Sequence, residues 1–260
     1  MTATRRILVT GGSAGIGLAI ARRLARQGDH VVIAARDGDR LERALQDLAG
    51  EGGSCSGHSC DIRDPAAVDR LFAAAGELDG LVNNAAGNFV CPSLTLSPNG
   101  FRSVVESSLH GSFFCSQAFA RQATVRGGGA IVNIVATYAW TGAPEVAHSA
   151  AAKAGLVALT KSLGREWGPL GIRVNALAPG FVPTDGAQSN ILSDPEAQAR
   201  MLATIPLGRF AAVDEIAAAA AWLLSEQASY CTGAVLTVDG GRSLGVGMHG
   251  VVRTTQEARP

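Results

Sequence analysis

The residues Thr10-Gly11-Gly12-Ser13-Ala14-Gly15-Ile16-Gly17 lie between a short β-branched run, Arg5–Thr10, and a helical pattern that begins at Gly15. A phosphate reaches the main chain only where no Cβ intervenes, and glycine removes that obstruction while tolerating unusual φ. A helix starting just after such a turn presents unpaired N–H groups and a positive dipole end to a pyrophosphate. The spacing is Gly-x-x-x-Gly-x-Gly rather than Gly-x-Gly-x-x-Gly, and a tight strand-to-helix corner would also use glycines. Its place after a first strand, with a second strand following on cue, favours dinucleotide binding by Gly11, Ser13, Gly15, Ile16 and Gly17. The second strand ends at Ala34-Ala35-Arg36. An acidic residue there grips a ribose 2′-hydroxyl, whereas an arginine accommodates a 2′-phosphate. Arg36 therefore predicts NADPH over NADH, against the plainer role of a solvated charge at a helix entry.

These groups need elements to hold them. Ile16, Ala19, Ile20 and Leu24 recur at helical spacing, with Arg22, Arg23 and Arg26 mostly on another face. Val31–Ala35 reads as a second strand, Arg40–Leu48 as a polar helix, and a third strand ends near Cys60-Asp61. Asp64-Pro65 has the form of an N-cap followed by a first-turn proline. Strands follow at Leu78–Asn83, Ala130–Val135, Ile172–Leu177 and Ala234–Val238. Helices follow at Pro98–Thr124 (one or two), His148–Trp167 and Val213–Ser225. Strands that are apolar throughout are buried on both faces, and their alternation with helices predicts a doubly wound parallel sheet in three α/β/α layers. No linker or repeat divides residues 1–260, which read as one domain. An excursion over 181–210, carrying Pro183, Pro195 and Pro206, interrupts the rhythm, and a frayed tail is expected over 247–260.

Composition excludes several classes. Lys+Arg and Asp+Glu both number 22, so the chain has no basic excess to reward nucleic acid or an anionic membrane surface. The longest apolar run, Ile216–Leu224, is far shorter than the roughly 20 residues a bilayer requires. Met1–Arg6 lacks the apolar stretch of a signal peptide, which predicts a cytoplasmic protein. Cys55, Cys60, Cys91, Cys115 and Cys231 have no metal-ligand spacing and read as free thiols in a reducing compartment.

The chain resembles the short-chain dehydrogenase/reductase family over about Arg5–Leu244. The matching pieces are Thr10–Gly17, Asp61, Asn83-Asn84-Ala85-Ala86-Gly87, Lys153, Asn175–Gly180 and Asp239-Gly240-Gly241. The resemblance implies a Rossmann-like seven-stranded sheet and a homotetramer. It also implies positions along a bound dinucleotide: Asp61 near adenine, Asn83 and Ala85 along the adenosine half, Lys153 on the nicotinamide ribose, and Pro179-Gly180 beside the nicotinamide, with Ile62 and Gly87 also in contact with the cofactor.

The family's usual Asn, Ser, Tyr and Lys set is here Ser108, Ala136, Ser149 and Lys153. A serine hydroxyl is a poor acid at neutral pH, so alcohol–ketone interconversion lacks its proton donor. Asn84–Pro92, Ala136–Trp140 and His148-Ser149-Ala150-Ala151-Ala152-Lys153 resemble one branch, the NADPH-dependent 2,4-dienoyl-CoA reductases. In that branch a tyrosine just after the fifth strand serves the thioester oxygen, and Tyr138 occupies that place. Reduction of a conjugated thioester delivers hydride to carbon and develops charge on oxygen, so aimed donors replace an acid at a ketone. The resemblance gives Tyr138 the oxyanion bond, Lys153 an orienting and electrostatic role, and Ser149 a link toward the ribose.

His110 stands where that branch commonly has asparagine. Its imidazole could assist the oxyanion or relay a proton, or simply pack. Cys91 lacks a basic partner and reads as substrate wall. The site therefore predicts reduction of a CoA thioester. A trans-2-enoyl thioester reductase acting on CoA or a carrier protein, and a non-catalytic NADPH-binding protein, are the rival readings.

Overall fold

In the computed structural model, residues 4–184 and 194–245 are described. Seven parallel strands form one sheet in the order β3-β2-β1-β4-β5-β6-β7. They are β1 Arg6–Thr10, β2 His30–Ala35, β3 Cys55–Ser59, β4 Gly80–Asn83, β5 Gly129–Ile134, β6 Ile172–Pro179 and β7 Val235–Val238. The order reverses between β1 and β4, the switch point where open α/β sheets bind ligands at the carboxyl ends of their strands. The central strands are apolar on both sides because helices cover both faces. Edge strand β3, Cys-Ser-Gly-His-Ser, is half-exposed and correspondingly polar.

One layer packs α1 (Gly15–Arg26), α2 (Gly38–Gly50) and a C-terminal helix against Val9, Ile33, Val82, Val132 and Leu177. The other packs α3 (Pro65–Ala75), α5 (Gly111–Thr124) and a long helix over Leu8, Leu81, Ile131 and Val174, while α4 (Pro98–Val105) lies against that long helix. The remaining helices are α6 (Tyr138–Thr141), α7 (Ala147–Trp167), α8 (Pro195–Leu202) and α9 (Val213–Leu224). Asp37, Asp64, Ser97 and Asp194 cap their helices by accepting main-chain N–H bonds, and proline follows directly at three of the four.

Three local features depart from the sequence reading. The Pro98–Thr124 segment is broken by a π-turn at Glu106–His110, whose wider turn rotates the residues it contains relative to an α-helix. A one-turn helix, α6, follows β5. The 181–210 excursion contains α8, opened by the same Asp-Pro signal that marks α3. Its part at 185–193, and the tail 247–260, lie outside the described residues. Among the described residues, no helix is long and apolar enough to cross a membrane.

Candidate active site

The β1–α1 turn forms the floor of a groove of about 560 Å³ at the carboxyl edge of the sheet. Gly11 has φ 64°, a left-handed conformation that favours glycine. A Cβ on Gly17 would run into the Gly11 carbonyl and the Asn84 side-chain amide. That amide donates to Thr10 O at 3.2 Å and Gly11 O at 3.0 Å, clamping the turn against the end of β4. The N-cap of α1 is Ala14, which supplies no side-chain acceptor, so the first-turn N–H groups remain available to an anion. These features fit a pyrophosphate.

Gly11, Ser13, Arg36, Asp61, Ile62 and Ala85 line the groove together. Arg40 and Ser107 line it too, and the sequence reading missed both. Arg40 lies in the first turn of α2, three residues past the Asp37 cap. Ser107 carried no signal, because its facing depends on the π-turn. Asp37 accepts the Arg40 N–H at 3.0 Å and is spent on the helix cap. The Asp61 carboxylate pairs with Arg63 at 2.9 and 3.0 Å, and these bonds hold it below its ordinary range. Gly87 faces the Ser107 hydroxyl, and Gly15 (φ 54°) faces Thr184. Ile16 packs half-buried against the core, while Pro179 and Gly180 continue the carboxyl end of β6.

Two expected site residues are not in these places. Asn83 is buried, and its amide donates to Asn133 Oδ1 at 2.8 Å and Ser116 Oγ at 2.9 Å. The pleat turns it toward α5, so it braces β4 and β5 below the site rather than lining the groove. His110 is exposed, beside Phe113, Phe114 and Leu159 in an outward depression between α5 and α7. The π-turn places it there, and it does not join Tyr138 and Ser149.

Those two residues do meet. The Tyr138 and Ser149 hydroxyls are hydrogen-bonded at 3.0 Å, joining the short α6 to the first turn of α7. Lys153 follows Ser149 by four residues on one face of α7, and its Nζ donates to Ile134 O at 2.6 Å. Asn133 Nδ2 donates to Thr160 Oγ1 at 2.9 Å, tying the same strand to α7 farther down. Burial raises the Tyr138 pKa, partly offset by the Ser149 bond, so the phenol stays protonated and can donate. Burial lowers the Lys153 pKa to about 8, leaving it mostly charged at pH 7 with two N–H donors beyond the Ile134 bond. Ser108, in the family's asparagine position, is buried, and its hydroxyl has no partner among the described residues.

A nucleotide groove at the switch point, a protonated phenol held by Ser149 and a charged lysine one helical turn along from that serine define a dinucleotide-dependent oxidoreductase. Residues 11–243 match the family described as enoyl-(acyl carrier protein) reductase. A probable 2,4-dienoyl-CoA reductase [(2E)-enoyl-CoA-producing] of Bacillus subtilis is 44% identical over 246 residues, covering 92% of this chain and 97% of that protein. A peroxisomal 2,4-dienoyl-CoA reductase [(3E)-enoyl-CoA-producing] of Pongo abelii is 42% identical, covering 90% and 82%. A putative 2-deoxy-d-gluconate 3-dehydrogenase from Agrobacterium tumefaciens, solved with bound NADP, superposes with TM-score 0.87 at 38% identity, covering 93% and 97%. The chain belongs to the short-chain dehydrogenase/reductase family.

Proposed function

We propose that this protein reduces 2,4-dienoyl-CoA thioesters to enoyl-CoA with NADPH. The observation that carries the reading is the Tyr138–Ser149 hydroxyl pair, with Lys153 one turn further along α7, which provides donors for an oxyanion while the family's usual tyrosine is replaced by Ser149. NADPH, held by the groove that Gly11, Ser13 and Arg36 line, would supply a hydride for the δ carbon of the diene. Tyr138 donates to the thioester oxygen as negative charge gathers there, and a donor held in place needs no reorganisation during the step. Ser149 fixes the direction of that phenol, and Lys153 lends positive charge close by. Protonation of the dienolate at the α carbon leaves a 3-enoyl product, and at the γ carbon a 2-enoyl product; the two relatives' names record one of each. The half-exposed Phe89, Val90 and Trp140 flank this region in sequence and supply apolar surface for an acyl chain.

Arg36 and Arg40 in one groove, with Asp37 spent on a cap, support NADPH over NADH. The relative solved with NADP supports the same preference. Arg36→Asp is expected to weaken NADPH about 10- to 100-fold, the value of one or two charge-assisted bonds, and to improve NADH. Titration of both cofactors by fluorescence checks this, and an unchanged preference would remove Arg36 from the site.

The function itself is tested with hexadienoyl-CoA and NADPH. Absorbance of the diene and of NADPH should fall together, and the product's double bond can be located by NMR. Absence of turnover, combined with clean reduction of a 3-oxoacyl thioester, would overturn the reading.

A further inference from the structure

Beside the Tyr138–Ser149 pair lies a buried titratable group that the chemistry above leaves unused. His148 is 0% exposed at the head of α7, and neither ring nitrogen has a hydrogen-bond partner among the described residues. Leaving buried polar atoms unpaired is costly, so the position calls for an explanation. The ring stands edge-on to Phe89, with centroids 4.4 Å apart and planes at 61°. Burial lowers the pKa of the imidazole, and the nearby Phe89 main chain opposes part of that shift without reaching hydrogen-bond geometry.

A second contact holds the same stretch of chain. The Cys91 N–H donates to Glu145 O at 2.8 Å. Glu145 has φ 62°, the only positive φ among the described non-glycine residues. A left-handed glutamate is held against its own preference, and such strain persists where surrounding contacts over-determine it. Phe89 is also hemmed in from behind, since a Cβ on Gly100 would meet its ring at 3.0 Å and Leu96 at 3.3 Å. Residues 89–91 are therefore pinned to 145–148, the segment that leads into Ser149.

We propose that His148 is a positioning residue: through its edge-on contact with Phe89 it fixes residues 88–92 as a wall of the thioester site, one residue from Ser149. The proposal rests on the thioester reading for its substrate, and on geometry alone for the wall. It assigns the imidazole to substrate affinity, leaving the transferred hydride and proton to other groups.

Three variants and two measurements test it: His148→Ala, His148→Phe, which keeps a ring edge without nitrogens, and Phe89→Ala. Amide hydrogen exchange over 88–92 should accelerate in His148→Ala by about tenfold, with exchange over β1, β4 and the cores of α1 and α5 unchanged. With hexadienoyl-CoA, KM should rise about tenfold while kcat stays within about threefold and NADPH affinity is unaltered. His148→Phe should recover most of the KM. The double variant His148→Ala/Phe89→Ala should have nearly the KM of Phe89→Ala alone, because the imidazole acts through the Phe89 ring. Unchanged exchange over 88–92, additive KM effects, or a loss confined to kcat would each overturn the proposal. A wild-type protein that binds NADPH but reduces no dienoyl thioester would refute the thioester reading alone, and exchange over 88–92 would still decide the wall.

Discussion

Tyr138→Phe is expected to lower kcat for a dienoyl thioester by about 10²–10³-fold, with NADPH affinity unchanged and KM moved little. The magnitude is that of removing one preorganised donor from a developing oxyanion. The phenyl ring keeps the packing of α6, and the lost hydroxyl also leaves Ser149 Oγ without its 3.0 Å partner. Burial raises the Tyr138 pKa, so the phenol is protonated across the neutral range. Wild-type turnover should therefore show no limb from ionisation of this residue below its ordinary pKa of 10.0. Steady-state kinetics and NADPH titration on both proteins check the result. Full activity in the phenylalanine variant would remove Tyr138 from the mechanism.

The second large effect is at Lys153. Lys153→Met should cut kcat/KM about 10³-fold, since it removes the charge beside the oxyanion and the donors offered to the ribose. The same change should leave the melting temperature equal to that of the wild type or higher. The folded pKa of about 8 lies below the ordinary 10.5, so the folded state binds this proton less well than the unfolded chain does. That gap corresponds to roughly 3 kcal/mol against the charged form at neutral pH. The sign follows: stability rises with pH between about 8 and 10.5, while turnover falls as pH passes about 8 and Lys153 loses its charge. Opposite pH trends of melting temperature and kcat in the wild type, both absent from Lys153→Met, would be the signature. A variant that is inactive and also strongly destabilised would show that Lys153 is held mainly as a structural donor to Ile134.

Much of this was legible in the chain. Central strands such as Leu8–Val9 and Val31–Ala35 are apolar without alternation, which already requires helices on both faces. The Asp-Pro pair marks the start of α3 because a cap acceptor and a preset φ suffice locally. Gly11 and Gly17 could be located for the same reason: the obstruction they avoid is their own Cβ. The Ser149–Lys153 spacing places both on one face of any helix.

The boundaries of that legibility are physical too. The π-turn at Glu106–His110 adds no distinctive residue, yet it turns His110 outward beside Phe113 and Phe114 and brings Ser107 to the nucleotide groove. The Asn83 side chain turns toward Asn133, a direction set by the strand pleat and readable only once β4 is paired with β5.

By itself, then, the sequence determined the parallel sheet, the phosphate turn, the arginine at the end of β2 and the absence of the usual tyrosine, because each is a property of one residue or one helical turn. Only the tertiary structure decided that Tyr138 meets Ser149, that Lys153 loses its water, and that His148 lies sealed against Phe89. Those are contacts between separate segments, and the packing that creates them also sets the desolvation that tunes them.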